Sequence, residues 1–208
     1  LDCTQTTDED GHISLEFKDR ATDRVLLSRV MDGEVLLDTY YVYDNYGNLR
    51  MVLPPTASDL LTSTTTPASW IETVAAIQKY AYLYKYDGRN RCIYKKLPGC
   101  DPVYTVYDSA DRPIFVQDGM QRSKGEWSFS IPDVFGRIVL TGTCKNTLNY
   151  ANDPLKNVVV KATRLTGTNQ TNELKGYTLP SKVALTTPVI LSVNYYDRYN
   201  FIGSNGIP

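Results

Sequence analysis

The chain has 208 residues, enough to bury a sizeable core, and its 42% hydrophobic content sets it apart from disordered sequences. Lys and Arg number 22 against 23 Asp and Glu, which excludes the basic footprint of a nucleic-acid binder and a polybasic membrane anchor. The unusual count is 16 Tyr against 5 Phe, a bias that suits half-buried strands, where the ring packs and the hydroxyl reaches water or a partner.

No apolar run approaches the ~20 residues of a membrane helix. The opening Leu1-Asp2-Cys3 has no signal-peptide pattern and reads as a cut made inside a longer protein. The cysteines Cys3, Cys92, Cys100 and Cys144 form no Cys-x-x-Cys, and His12 is the sole histidine, so neither a metal site nor a cofactor is expected. The thiols read as buried or incidental, with a Cys92–Cys100 hairpin disulfide as the alternative.

From residue 11 the chain reads as hairpins. Ile13, Leu15 and Phe17 alternate with polar residues, a polar turn follows at Asp19, and Val25-Leu26-Leu27 starts the return strand. This first copy is loose, with Thr22 and Asp23 where glycine is expected. Met31-Asp32-Gly33-Glu34 supplies another turn. The clearest unit is residues 40–53: a tyrosine-rich strand, a turn from Asp44 to Gly47, and an apolar strand.

The turn carries the physical signature. An Asp carboxylate can accept hydrogen bonds from N–H groups two residues on, as in an Asx-turn. A residue tolerant of positive φ is needed three positions later. Pairing each turn Asp with its third successor gives Asp44/Gly47, Asp87/Asn90, Asp108/Asp111, Asp133/Gly136 and Asp197/Asn200, all from the Gly, Asn and Asp set that tolerates the left-handed region. Residues two and four before each Asp, and five and seven after it, are mostly apolar and are expected to bury one sheet face. Tyr43, Tyr86, Tyr107 and Tyr196 immediately precede four of the aspartates and point to the opposite face.

Residues 56–69, rich in Thr and Ser, read as a loop. Ser69 and Glu72 form a capping-box signature, and Trp70, Val74, Ile77 and Ala81 recur at helical spacing. A short helix near 70–80, packed across the sheet as an insertion, is expected. Val158-Val159-Val160-Lys161-Ala162-Thr163 followed by Thr166-Gly167-Thr168-Asn169 reads as a hairpin without the Tyr-Asp signature. Residues 174–187 read as a loop with an edge strand bounded by Pro180 and Pro188. The fold class is mainly β: antiparallel repeated hairpins forming a curved, extended sheet or partial shell. Residues 1–208 form one repeat segment, divided into first hairpin units (11–55), loop and helix insertion (56–81), tight units (82–145), degenerate units (146–192) and the start of a further unit (193–208).

A period of about 21–25 residues with Tyr-Asp, then Gly or its substitutes, then Arg and an apolar strand resembles the YD repeat of the RHS (rearrangement hotspot) family. The matching pieces are Tyr43-Asp44-Asn45-Tyr46-Gly47, Tyr86-Asp87-Gly88-Arg89-Asn90-Arg91, Tyr107-Asp108-Ser109-Ala110-Asp111-Arg112 and Asp133-Val134-Phe135-Gly136-Arg137. The resemblance implies a segment of a large bacterial surface or secreted protein, extracellular in its parent, whose hairpins wind into a shell. Such a shell can enclose a toxic domain or serve adhesion. Asp153-Pro154-Leu155-Lys156 departs from the family's Asp-Pro-x-Gly cleavage motif at the glycine position, so no catalytic residue is carried over.

The expected partners are neighbouring repeats of the same chain, an enclosed toxin domain or a surface glycan, and further copies of the fragment through open sheet edges. Two functional readings follow. One is a structural shell segment without catalysis. The other is carbohydrate binding through outward tyrosines, Tyr43, Tyr86, Tyr107 and Tyr196 with Tyr41 and Tyr84. Against an enzyme, the turn aspartates already have a structural task, and Glu126 beside Trp127 lacks a second carboxylate that could complete a glycosidase pair.

Overall fold

The computed structural model describes residues 1–62, 71–165 and 172–196. The chain is mainly β, its sheet pairings are antiparallel, and it divides into two compact units, Leu1–Pro102 and Val103–Pro208. The first unit contains β1 (Asp2–Thr7), β2 (Ile13–Lys18), β3 (Val25–Asp32), β4 (Val35–Tyr43), β5 (Leu49–Leu53), α1 (Pro55–Thr62), α2 (Ala75–Tyr80), β6 (Tyr82–Tyr86) and β7 (Cys92–Lys96). Its strands pair antiparallel in chain order. No helix among the described residues is long and apolar enough to cross a membrane.

The second unit contains β8 (Val103–Tyr107), β9 (Pro113–Gln117), α3 (Gly119–Lys124), β10 (Glu126–Pro132), β11 (Ile138–Lys145), β12 (Thr163–Arg164), β13 (Tyr177–Thr178) and β14 (Thr186–Val193). Strands β8 to β11 again pair in chain order, β14 lies along β11, and β12 and β13 form a separate small ladder. Gly142 is required where β14 crosses β11: a Cβ there would lie 2.2 Å from the Val189 carbonyl oxygen and 2.8 Å from the Phe129 ring.

The hairpins share a defect that strict alternation did not anticipate. Val42 pairs with Met51 but Tyr43 with Leu49, which leaves Arg50 as a bulge. The same step leaves out Ile93 in β7, Ile114 in β9 and Val139 in β11. A bulge puts two residues opposite one and reverses the side reached by the next residue. The fifth and seventh residues after the turn Asp therefore do not share a face. Met51, Phe115 and Leu140 are buried, whereas Pro113 and Ile138 are exposed.

Each unit has its own core. In the first, the α1–α2 insertion covers the sheet: Ala57, Leu61 and Ile77 pack with Met51, Leu53 and Leu83. Residues 55–62, which overlap the stretch 56–69 read as a loop, are helical because Ala57 and Leu61, four apart, present one apolar edge and Pro55 suits the first helical position. Helix α2 starts only at Ala75 with Val74 as its cap, so Glu72 does not close a capping box; Ser69 and Trp70 lie outside the described residues. Glu72 instead pairs with Arg50 and Lys85, each at 2.8 Å. That pairing accounts for a lysine where the other copies carry an apolar residue.

In the second unit Trp127, Phe129, Ile131, Phe115 and Leu140 pack with Leu155, Val160, Tyr177 and Val183 from the irregular part of the chain. Residues 158–162 are not a strand; β12 begins at Thr163 and pairs with Tyr177–Thr178. Their backbone is spoken for elsewhere, since Val160 N–H donates to the Asp108 carboxylate and Ala162 N–H to the Pro132 carbonyl. Residues 166–169, the turn of that expected hairpin, lie outside the described residues. Pro188 falls inside β14, at an interruption of its register with β11, where a missing N–H is tolerated.

Candidate functional site

Four turns with one hydrogen-bond pattern recur at the ends of the hairpins. At Asp44, Asp87, Asp108 and Asp133 the Asp N–H donates to the carbonyl four residues on, at 2.8–3.1 Å. The third residue returns an N–H to the Asp carbonyl, and it is left-handed in every case: Gly47 at φ 86°, Asn90 at 59°, Asp111 at 60° and Gly136 at 84°. One carboxylate oxygen accepts the N–H groups two and four residues on, for example from Tyr46 and Asn48 at 2.9 Å each. The other oxygen takes the side chain at the fourth position: Asn48 at 3.1 Å, Arg91 at 2.6 Å, Arg112 at 2.6 Å and Arg137 at 2.7 Å. Both carboxylate oxygens of each Asp thus have donors.

A fifth turn of this kind, at Asp8, was hidden because Thr7 rather than Tyr precedes it. Gly11 is at φ 87°, Asp8 accepts from the Asp10 and His12 N–H groups, and the His12 ring meets its second oxygen at 2.9 Å. The Asp-x-x-Gly spacing alone would have found it. At Asp19 the loop is one residue longer, so the left-handed residue is Asp23, at φ 55°, and Asp19 N–H donates to Arg24. Asp197 and Asn200 lie outside the described residues.

Asp108 is fully buried. Burial alone would push its pKa up; the Arg112 guanidinium and the N–H groups of Arg112 and Val160 outweigh it and hold the carboxyl below the usual range. Arg112 also donates to the Val160 carbonyl at 2.6 Å. This copy therefore anchors the irregular segment.

The tyrosines before the turns are half-buried at Tyr43, Tyr86 and Tyr107 and 38% exposed at Tyr196. Tyr43 donates its hydroxyl to the Val25 carbonyl at 3.2 Å, Tyr86 to Leu49 at 3.1 Å and Tyr196 to Ile138 at 3.5 Å. In each pair the acceptor is the first residue of an earlier strand, directly after its turn. The tyrosine is a latch from one hairpin to another. Tyr41 and Tyr84 are also half-buried.

The residues weighed for catalysis remain scattered. Glu126 begins β10 and its carbonyl accepts from Gln117, while Trp127 is buried edge-on against Phe115. No disulfide joins the four cysteines: Cys3 and Cys100 are exposed, Cys92 is half-buried with its thiol on the Tyr94 carbonyl, and burial pushes the Cys144 pKa up to about 11. Among the described residues no group of three or more His, Cys, Asp or Glu could hold a metal ion.

A cavity of about 370 Å³ opens beside the Asp133 turn, lined among others by Arg137, Lys161, Arg164, Tyr177 and Tyr196. Arg137 lies 4.2 Å over the Tyr196 ring and Arg164 lies 4.5 Å over Tyr195, which stacks on Tyr177.

No protein-family model matches the chain, and no curated protein matches it. Among solved structures it is similar to TcdB2-TccC3, with 13% identity, 79% of this chain and 7% of that chain covered, and a TM-score of 0.50. It is also similar to TcdB2-TccC3 without its hypervariable C-terminal region, at 12% identity, 64% and 6% coverage and a TM-score of 0.48. The chain thus spans only a small fraction of the proteins it matches. At such identity the likeness is one of fold, an RHS-like antiparallel β fold.

Proposed function

We propose that this chain is a non-catalytic structural segment of an RHS-repeat shell, belonging to a larger bacterial cell-surface or secreted protein whose shell encloses or presents a toxin or adhesion module. The observation that carries this reading is the repeated turn. Its Asp is consumed by the backbone and by the side chain four residues on, and before Asp44 and Asp87 the tyrosine is tied to another hairpin. Residues so fully used for register are scaffold. The fold likeness to TcdB2-TccC3 supports the same reading.

The hydroxyl bonds of Tyr43, Tyr86 and Tyr196 to Val25, Leu49 and Ile138 give these tyrosines a structural task that needs no sugar. The decisive experiment is protease protection of the parent protein's downstream domain. Protection is expected in the native parent and is expected to fall when Asp108→Asn and Gly47→Val disrupt two turns. Full protection after the turns are demonstrably lost would overturn the shell reading. A glycan array with binding abolished by Tyr86→Ala and Tyr107→Ala would favour the carbohydrate reading instead.

A further inference from the structure

We propose that the cavity beside the Asp133 turn is a binding site for a small acidic saccharide, a ring bearing one carboxylate, of the uronic-acid class. The first argument is charge. Arg137, Lys161 and Arg164 line the cavity against the single carboxylate of Asp133, a formal excess of two positive charges in a chain whose net charge is −1. The Asp133 carboxylate is occupied: it accepts the Phe135 and Arg137 N–H groups and the Arg137 side chain.

The second argument is pre-organisation. Arg137 and Arg164 are laid on the Tyr196 and Tyr195 rings, and Tyr177 is fixed by its hydroxyl bond to the Asn194 carbonyl at 2.7 Å. The wall carrying Lys161 and Thr163 is pinned by the Ala162 N–H at 2.8 Å from the Pro132 carbonyl. Guanidinium groups already stacked lose little freedom when a carboxylate arrives.

The third argument is size and lining. About 370 Å³ lies at the lower end of small-ligand sites, more than a bare anion fills. The lining mixes Val134, Ala162, Tyr177 and Tyr196 with Thr163, a mixture of apolar, aromatic and hydroxyl-bearing residues that suits a sugar's C–H faces and hydroxyls. The site can be tested apart from the shell reading, since Lys161 and Arg164 belong neither to the Asp133 turn nor to the Tyr196 latch.

The test is titration of the full 208-residue chain with glucuronate, glucose and inorganic phosphate, followed by nuclear magnetic resonance. Glucuronate is expected to shift the signals of Lys161 to Arg164 and Tyr196, and Lys161→Gln to weaken it about fivefold with the fold unchanged. Raising salt is expected to weaken it further. Glucose or phosphate binding as tightly as glucuronate, or no response to Lys161→Gln, would overturn the proposal. So would the absence of glucuronate shifts at millimolar concentration. Arg164→Lys, which keeps the charge, is expected to bind more tightly than Arg164→Gln.

Discussion

The Asp of each turn is hydrogen-bonded through both carboxylate oxygens, and this gives a pH dependence with a definite sign. At Asp87, Asp108 and Asp133 burial opposes ionisation, but the Arg side chain four residues on and backbone N–H groups overcome it and lower the pKa. A depressed folded-state pKa contributes stability that is fully present above the unfolded value of about 3.9 and is lost as pH falls through the folded value. Urea midpoints are therefore expected to be flat between neutral pH and about 5 and to drop below about 4. Asp108→Asn is expected to cost about 2–4 kcal/mol at pH 7 and to flatten part of that acid limb, because Arg112 would lose its buried partner. Gly47→Val combines a β-branched side chain at φ 86° with a Cβ 1.9 Å from the Arg24 guanidinium, and a loss of about 2–3 kcal/mol in chemical denaturation is expected. Thiol labelling gives an independent check of burial: Cys3 and Cys100 are expected to react quickly, and Cys144 only after unfolding. These residues were legible because the constraint on them is local. A carboxylate and a left-handed residue three apart announce a turn without tertiary information. The cluster of Arg137, Lys161 and Arg164 was not legible, since ring stacking and a non-local bond to Pro132 bring it together.

At the scale of elements, the hairpins are joined by side chains as well as by strand ladders. Tyr86→Phe removes only the hydroxyl that reaches Leu49 and is expected to cost about 0.5–1.5 kcal/mol, whereas Tyr46→Phe, at an 82% exposed turn position, is expected to be neutral. Equal effects in a thermal melt would remove the latch. The α1–α2 insertion contributes the lid of the first core, so Ile77→Ala, at a fully buried position, is expected to cost about 2–5 kcal/mol. Alternation in the sequence located the strands but could not reveal the bulges at Arg50, Ile93, Ile114 and Val139, because a bulge is a property of pairing and not of one strand's pattern. Helix α3 was missed although its signal is local. Asp118 and Gln121 form a complete capping box and Gly125 ends the helix at φ 65°, but six residues between strands carry too little periodicity to stand out.

For the whole molecule, repetition explains why the two compact units look alike in plan and differ in filling. In the first, helices from an insertion cover the sheet; in the second, Leu155, Val160 and Val183 from a stretch with little strand character do so. That stretch looked degenerate because its repeat signature was lost, yet it carries much of the second core. Hydrophobic content betrayed burial there, and Asp108, Arg112 and Pro132 show what it is tied to. Repeated hairpins also leave the question of edges. Strand β1 pairs with β2 alone among the described strands, and every residue from Asp2 to Thr7 is exposed. An open antiparallel edge offers unpaired N–H and C=O groups to another strand. Self-association through this edge is therefore expected, with apparent mass rising with concentration in light scattering. Lysine at Thr4 and Thr6 puts like charges on the edge and is expected to abolish the rise while leaving the circular dichroism spectrum unchanged. A chain that stays monomeric at millimolar concentration, or association that survives both lysines, would mean that the Asp2–Thr7 edge is already protected by its own polar side chains.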